Sequence, residues 1–303
     1  MAASLSSMWQ GCGASVRGAA HIRAGLPKQD DFTCRITEAG GAVTGILAVA
    51  DGHGSARSFR SEAGAQFAVQ VAGEALQQFA DGFRDPANRA AAARASEVDI
   101  PKRIVQAWQA AVARHVEQQR FAEEELAKLD AATRKSLEKQ PLLAYGTTLL
   151  GVLVTEGLIL YMQVGDGDIV VVSDQGETTR PLPRDERLFG NETTSLCSLG
   201  SGGRSSVAGP AGAWSEFRTR LETRMDRAPS LIVVSTDGYA NSFRSEADFV
   251  KVGPDLLMMI RAEGLEGVEA RLEGWLNEAS QAGSGDDVTL GLLYRTAEPA
   301  GRR

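Results

Sequence analysis

Four short apolar runs in this sequence each have an aspartate at one end, and no other feature constrains the fold as much. The runs contain many branched residues and lie between turn signals, so we predict that each is a buried β-strand. A sheet holds a carboxylate at a strand end rigidly, and a neighbouring glycine lets backbone atoms or a metal approach closely. The runs are ILAVA before Asp51, LYMQVG before Asp166, LIVVST before Asp237, and VTLGLL after Asp286 and Asp287.

The rest of the chain predicts long helices among antiparallel strands, which favours an α+β sandwich. Apolar residues at helical spacing predict a helix over 58–80, and a second helix that starts near Pro101 and is extended by the charged stretch 117–140. Three strand-like runs between 142 and 173 predict an antiparallel meander. The other predictions are a strand over 41–50, a loop over 81–99, a surface flap over 180–215, a strand over 231–235, helices over 254–263 and 266–281, and a final strand over 287–294.

The aspartates predict a site for hard cations. A single Asp-Gly after a strand is more often a turn than a metal ligand, but four such strand ends in one chain favour a shared site. Carboxylates brought together repel one another and raise each other's pKa unless a cation neutralises them. The ligands are oxygens, and the three cysteines have no Cys-x-x-Cys spacing. The pattern therefore favours Mg²⁺ or Mn²⁺ over zinc.

Charge and composition argue against several other classes of protein. The chain has 39 acidic and 32 basic side chains and a net charge of −7, whereas a general nucleic-acid binder normally presents a basic face. Three cysteines far apart predict no disulfide framework. The N-terminal segment lacks a basic stretch followed by a long apolar run, and no apolar stretch reaches the length of a membrane span. We expect a cytoplasmic protein with no nucleic-acid or membrane partner.

Six motifs, in their order along the chain, resemble those of the type 2C metal-dependent protein phosphatases. The resemblance spans about 13–295 and implies a single phosphatase domain over 1–303. It implies a central sandwich of two antiparallel β-sheets flanked by helix pairs, with a binuclear metal site at one end. It also implies a phosphorylated protein substrate whose serine or threonine phosphate is hydrolysed by an activated water. The motifs are Gln29-Asp30, Asp51-Gly52-His53-Gly54, Gly146-Thr147-Thr148, Gly165-Asp166, Asp237-Gly238 and Asp286-Asp287-Val288-Thr289.

The resemblance implies a metal-binding role for most of these aspartates. Asp51 is expected to bridge two ions, Mg²⁺ or Mn²⁺, and the carbonyl of Gly52 to join one of them. Asp237 and Asp286 are expected to bind the other ion. Asp30 is expected to hold a water on a metal.

Other positions match the third metal, the general acid and the phosphate contact of the family. Asp166 lies where members bind a third, weaker ion, and His53 matches the proposed general acid. The family's phosphate-binding arginine follows a Gly-x-x spacing, and that spacing leads here to His21. We expect His21 to contact the phosphate, with Arg17 or Arg23 as the alternatives.

Departures from the family pattern leave three functions open. Gln29 replaces the usual glutamate, Asp287 stands where asparagine is commoner, and Asp168, expected to be a solvated turn residue, stands where arginine is frequent. The first hypothesis is an active protein phosphatase. The second is a catalytically silent relative that binds phosphoproteins or a partner. The third is a metal-dependent hydrolase of another phosphate such as a nucleotide, which the lack of a Gly-x-x-x-x-Gly-Lys loop disfavours.

Overall fold

Two five-stranded antiparallel β-sheets form the centre of the computed structural model, which describes residues 9–83, 88–183, 194–198 and 213–296. The first sheet has the strand order β1-β10-β9-β6-β7 and the second has the order β2-β3-β4-β5-β8. The strands are β1 Trp9–Val16, β2 Asp31–Ala39, β3 Ala42–Ala50, β4 Leu149–Val154, β5 Ile159–Val164, β6 Asp168–Val172, β7 Thr178–Thr179, β8 Arg218–Glu222, β9 Leu231–Ser235 and β10 Val288–Arg295.

Helices cover the outer face of each sheet. Apolar side chains of α2 and α4 pack on the second sheet, and those of α8 and α9 pack on the first. The helices are α1 Ala19–Ala24, α2 Ser61–Gly82, α3 Arg89–Arg94, α4 Ile100–Gln118, α5 Glu123–Leu126, α6 Ala131–Lys139, α7 Asp237–Ala240, α8 Glu246–Glu263 and α9 Leu265–Ala282. The predicted α+β class, a sandwich of two antiparallel sheets flanked by helix pairs, is confirmed.

Strand β3 shows why these strands appear in the sequence as continuous apolar runs. Leu47 and Val49 face the opposite sheet, while Ile46, Ala48 and Ala50 face the helices. Both faces are buried, so polar residues do not alternate with apolar ones. The alanines also leave space for α2 to lie close to the sheet.

The predicted meander over 142–173 is wrong in its third strand. Strands β4 and β5 pair in the second sheet, but β6 lies in the first sheet beside β9. The turn over 165–167 carries the chain between the sheets, and Gly165 has a φ of +107° that side chains rarely adopt. Consecutive strands with a short connection usually pair, and the apolar pattern does not identify the sheet. Strand β1 went unpredicted because small residues dilute its apolar signal.

Several helix boundaries also differ from the predictions. The predicted loop over 81–99 contains α3 and a π-helical turn over Ala95–Asp99. The stretch 117–140 does not extend α4, which ends at Gln118, but forms α5 and α6. Helix α8 begins at Glu246 rather than near 254, because the Ser245 side chain accepts a hydrogen bond from the Asp248 amide and Pro254 is tolerated inside the helix.

The predicted surface flap and the expected lack of a membrane span can be compared only with the residues that the structure describes. Most of the predicted flap over 180–215 lies outside them. Among the residues that the structure describes, no helix combines the length and apolar character needed to cross a membrane.

Candidate metal centre

Three aspartates from separate parts of the chain converge at one end of the sandwich. Asp51 follows β3 of the second sheet, Asp237 follows β9 of the first, and Asp166 lies in the turn that joins the two sheets. Each offers one carboxylate oxygen, and the three oxygens all lie within 4.8 Å of one another. Asp51, Asp166 and Asp237 are called the aspartate trio below.

The backbone of Asp51 is fixed by the Gly146-Thr147-Thr148 motif. The Thr148 amide and the Thr147 hydroxyl donate to the Asp51 carbonyl at 2.8 and 2.9 Å. The Asp51 amide donates to the Thr148 hydroxyl at 3.0 Å. A Cβ at Gly52 would lie 2.5 Å from the Gln29 carbonyl oxygen, so only glycine fits there. The loop that carries the first aspartate of the trio is therefore rigid.

Burial and mutual repulsion favour the protonated forms of these carboxyls. The pKa of Asp51 lies well above its ordinary value because the group is buried and because Asp30 and Asp237 are close. Burial also raises the pKa of Asp237, with Asp166 and Asp286 adding to the rise. A cluster of carboxylate oxygens whose charges repel is the donor set that a hard divalent cation neutralises. The residues therefore fit Mg²⁺ or Mn²⁺.

Asp30 lies beside the trio but is held by threonines. Its Oδ2 accepts hydrogen bonds from the hydroxyls of Thr236 and Thr289, both at 2.8 Å. Burial raises its pKa to about 8, with Asp287 adding to the rise and the two threonine hydrogen bonds opposing it. The structure thus places Asp30 between the end of β9 and the start of β10. Sequence reasoning found Asp30 but missed Thr236, whose only signal is its position before Asp237.

Asp286 does not belong to the aspartate trio. Within the described residues, the trio is the group of side chains close enough together to hold a metal ion. Its side chain is 55% exposed, and its Oδ1 accepts a hydrogen bond from the Asp287 amide at 2.8 Å. Its charge still contributes to the raised pKa values of Asp51 and Asp237. Asp286 therefore lies near the trio without pointing into it.

Asp287 fastens the N-terminal segment to the site. It is buried, and its two oxygens accept hydrogen bonds from the amides of Gly18 and Gln29 at 2.6 and 2.5 Å. His21 lies between the two neighbouring carboxylates, with Nδ1 2.9 Å from Asp287 and Nε2 3.5 Å from Asp286. His21, predicted to contact phosphate, therefore lies against acidic groups.

The remaining predicted residues lie close to these loops. The amide of His53 donates to the Gly146 carbonyl at 2.9 Å, and within the described part of the chain its buried Nε2 has no hydrogen-bond partner. Burial lowers the pKa of His53, Asp166 opposes this shift and Arg57 adds to it. Arg17 donates from Nη2 to the His21 carbonyl at 3.3 Å, which ties it to α1.

Asp168 is not the solvated turn residue that the sequence suggested. It is buried, and its Oδ1 accepts a hydrogen bond from Arg180 Nε at 2.6 Å. Arg180 also pairs with Glu246 at the start of α8, at 2.5 Å. A buried carboxylate normally requires such a partner, but the partner lies 12 residues further along the chain, just after β7, where no local motif identifies it.

A family comparison covers most of the chain. The sequence profile of the family described as Protein phosphatase 2C matches residues 17–277. The chain belongs to this family, which confirms the resemblance found in the motifs. No protein in the curated collection of sequences matches the chain.

Solved structures of bacterial phosphatases share the fold. The catalytic domain of the serine/threonine phosphatase PstP, in complex with two manganese ions, is 17% identical with a TM-score of 0.54, covering 95% of this chain and 99% of that one. PstP/Ppp of Mycobacterium tuberculosis is 19% identical with a TM-score of 0.50 and the same coverage. A variant of a bacterial serine phosphatase is 12% identical with a TM-score of 0.53, covering 96% of this chain and 100% of that one. At these identities the likeness shows the fold.

Proposed function

We propose that this chain is a Mg²⁺- or Mn²⁺-dependent phosphatase that removes phosphate from serine and threonine side chains of proteins. The observation that carries the proposal is the convergence of Asp51, Asp166 and Asp237, whose oxygens lie within 4.8 Å of one another. Membership of the Protein phosphatase 2C family supports it. So does the fold shared with PstP, which was solved with two manganese ions.

Five aspartates and one carbonyl would hold the ions. Asp51 would be shared between two of them, the Gly52 carbonyl would join one, and Asp237 and Asp286 would hold the other. Asp286 would need to turn its side chain from the Asp287 amide to do so. The further groups are Asp30, acting through a water, and Asp166 for a third ion. When bound, the cations supply positive charge that acidifies an attacking water and offsets the charge of the phosphate.

His53 would donate a proton to the departing serine or threonine oxygen. Its Nε2 has no hydrogen-bond partner among the residues that the structure describes, and its backbone is fixed by the Gly146 carbonyl. An alkoxide is a strong base and a poor leaving group, so a positioned acid gives about 10²–10⁴-fold in rate. His21 would contact the phosphate from beside Asp286, with Arg17 behind it as the alternative.

A catalytically silent, phosphoprotein-binding relative is the second candidate. Gln29 favours it, because a neutral amide replaces an acidic side chain and its Nε2 donates to the Ser61 hydroxyl at 2.8 Å. Fewer negative charges around the ions would weaken their binding. Calorimetry separates the candidates: the silent relative would bind no Mn²⁺ at millimolar concentration, whereas the enzyme would.

A substrate panel tests the proposed activity. Phosphate release is measured with Mn²⁺ or with EDTA on phosphoserine, phosphothreonine and phosphotyrosine peptides and on nucleoside triphosphates. We expect release from the first two peptides with Mn²⁺ only, loss in Asp51→Asn, and unchanged rates in Asp255→Asn, which alters an exposed aspartate of α8. Hydrolysis that survives EDTA, or that is confined to nucleotides, would refute the proposal.

A further inference from the structure

A short turn over 194–198 contacts two loops of the candidate metal centre. It lies between two stretches outside the described residues, and it is itself described in full. The proposed chemistry assigns no role to its residues. Its contacts nevertheless reach the Gly146-Thr147-Thr148 motif, which holds the backbone of Asp51, and the turn that carries Asp166.

Ser195 makes a pair of hydrogen bonds to the backbone of Thr147. Its hydroxyl accepts from the Thr147 amide at 3.2 Å and donates to the Thr147 carbonyl at 3.0 Å. The Leu196 amide donates to the same carbonyl at 3.0 Å. Thr147 in turn donates from its hydroxyl to the Asp51 carbonyl at 2.9 Å. Ser195 is therefore connected to the backbone of Asp51 through hydrogen bonds of a single residue, Thr147.

Thr194 makes the equivalent contact to the other loop. Its hydroxyl accepts a hydrogen bond from the Gly165 amide at 3.0 Å, and Gly165 directly precedes Asp166. The two contacted segments lie apart along the chain, since Thr147 lies just before β4 and Gly165 lies in the turn that joins β5 to β6. Adjacent residues of one turn therefore hold the backbones next to two members of the aspartate trio.

The turn itself is held in place by buried side chains and by a hydrogen bond within the turn. Leu196 and Cys197 are buried in the core formed with α2 and α4. The Ser198 hydroxyl donates to the Ser195 carbonyl at 2.7 Å and closes the turn. A buried turn that is closed by its own hydrogen bonds holds its hydroxyl groups in fixed directions.

We infer that Ser195 and Thr194 are positioning residues that set the spacing of Asp51 and Asp166 and thereby the affinity of the site for divalent cations. The inference rests on the proposed function, since it concerns the same cations. Groups that hold the ligands of a metal typically change its affinity about 10–100-fold when they are removed. Ser195 acts on Asp51 through Thr147, and Thr194 acts on Asp166 through Gly165.

The test is calorimetric titration of the full chain with Mn²⁺. Ser195→Ala removes the hydroxyl that contacts Thr147, and Thr194→Val removes the one that contacts Gly165 with little change of shape. Two controls match them. Thr194→Ser keeps the hydroxyl. Ser96→Ala removes the hydroxyl of another buried serine, which donates to the nearby Ala93 carbonyl and belongs to a part of the chain that is not assigned to the site. The melting temperature of each variant in EDTA reports its stability separately.

We expect Ser195→Ala and Thr194→Val to bind Mn²⁺ about tenfold more weakly than the wild type or worse. Thr194→Ser and Ser96→Ala should bind it as the wild type does. A merely structural role would lower the melting temperature in EDTA and leave the affinity of the folded protein unchanged. Wild-type affinity in both hydroxyl-deletion variants would overturn this inference alone. A wild-type chain that binds no Mn²⁺ would overturn the proposed function and this inference together.

Discussion

At the scale of one residue, the carboxyl group of Asp51 destabilises the metal-free folded protein. Its carboxyl is buried beside Asp30 and Asp237, so its charged form is disfavoured without a cation. A hydrogen bond between the Asp51 and Asp237 side chains raises the pKa of the first and lowers that of the second. A hydrogen bond between two carboxyl groups requires a proton on one of them, and an amide at position 51 would supply such a donor without a charge.

Asp51→Asn should therefore stabilise the metal-free protein and remove its response to metal. We expect the melting temperature in EDTA to rise by about 2–4 °C, the shift that roughly 1 kcal/mol produces in a large domain. Mn²⁺ at a hundred times its dissociation constant should stabilise the wild type by about 2.7 kcal/mol and the variant hardly at all. Scanning calorimetry with and without Mn²⁺ measures both effects. A variant less stable than the wild type in EDTA would contradict the electrostatic account.

His53 can be tested through the leaving group of the substrate. His53→Gln should lower kcat on a phosphoserine peptide by about 10²–10⁴-fold, because the serine alkoxide needs a proton. The same variant should hydrolyse p-nitrophenyl phosphate nearly as fast as the wild type, because nitrophenolate is a weak base. Steady-state rates on the two substrates provide the comparison. An equal loss on both would rule out His53 as the proton donor.

At the scale of elements, Arg60 connects the helices that support the His53 loop. Its Nε and Nη2 donate to Glu125 of α5, both at 2.8 Å. Its Nη1 donates to the Gln119 carbonyl just after α4 at 2.6 Å and to the Tyr145 hydroxyl at 2.9 Å. Tyr145 immediately precedes Gly146, whose carbonyl holds the His53 amide. The stretch 117–140 is thus tied to the site by one guanidinium.

The Arg60–Glu125 pair predicts a pH dependence of stability. The hydrogen bond from Arg60 lowers the pKa of Glu125 below its ordinary value of 4.5, with burial opposing. The stabilisation is therefore fully present above pH 4.5 and is lost as the pH falls through the lower folded-state pKa. Glu125→Gln should be less stable than the wild type by about 0.5–1 kcal/mol at pH 7, and the difference should shrink below pH 4.5.

Urea unfolding between pH 3.5 and 7 measures this difference. The matched control is Glu124→Gln, which alters the exposed neighbouring glutamate and should follow the wild type throughout. A gap between Glu125→Gln and the wild type that stays constant down to pH 3.5 would contradict the assignment.

Elements and site residues were predictable from the sequence where the signal is local. The strands that lead to Asp51, Asp166 and Asp237 are apolar runs cut off by aspartates, so their existence could be predicted. The number of such strand ends favoured a shared site without showing which aspartates meet. The sheet that β6 joins could not be predicted, because a short connection usually joins strands of one sheet and the apolar pattern does not identify the sheet. The burial of Asp168 depends on Arg180, which lies 12 residues away along the chain and leaves no mark in the sequence next to Asp168.

At the scale of the whole molecule, the site depends on how closely the two sheets pack. Gly291 of β10 faces Leu47 of β3, and a Cβ there would lie 2.4 Å from the Leu47 side chain. Leu47 is fully buried. The layer between the sheets is filled by apolar side chains from both of them. The trio draws Asp51 from one sheet and Asp237 from the other, so the packing of this layer sets the width of the site.

Gly291→Ala should destabilise the protein by about 1–3 kcal/mol, because overpacking a filled core forces side chains or strands to shift. The control is Gly274→Ala on the exposed face of α9, where a Cβ meets nothing within 4 Å. That change should be neutral or stabilise by up to about 1 kcal/mol. Urea unfolding of both variants at pH 7 decides the matter. A Gly291→Ala protein as stable as the wild type would show that the sheets are not packed this closely.

The central claim is that distant carboxylates meet to bind a pair of hard cations, and a crystal soaked with Mn²⁺ tests it most directly. The anomalous difference map at the manganese edge locates the ions without reference to activity. We predict two strong peaks at the end of the sandwich, both in coordination distance of Asp51, with Asp237 contacting at least one of them and Asp286 turned toward the ions. A map with no manganese beside Asp51 and Asp237 would contradict the account.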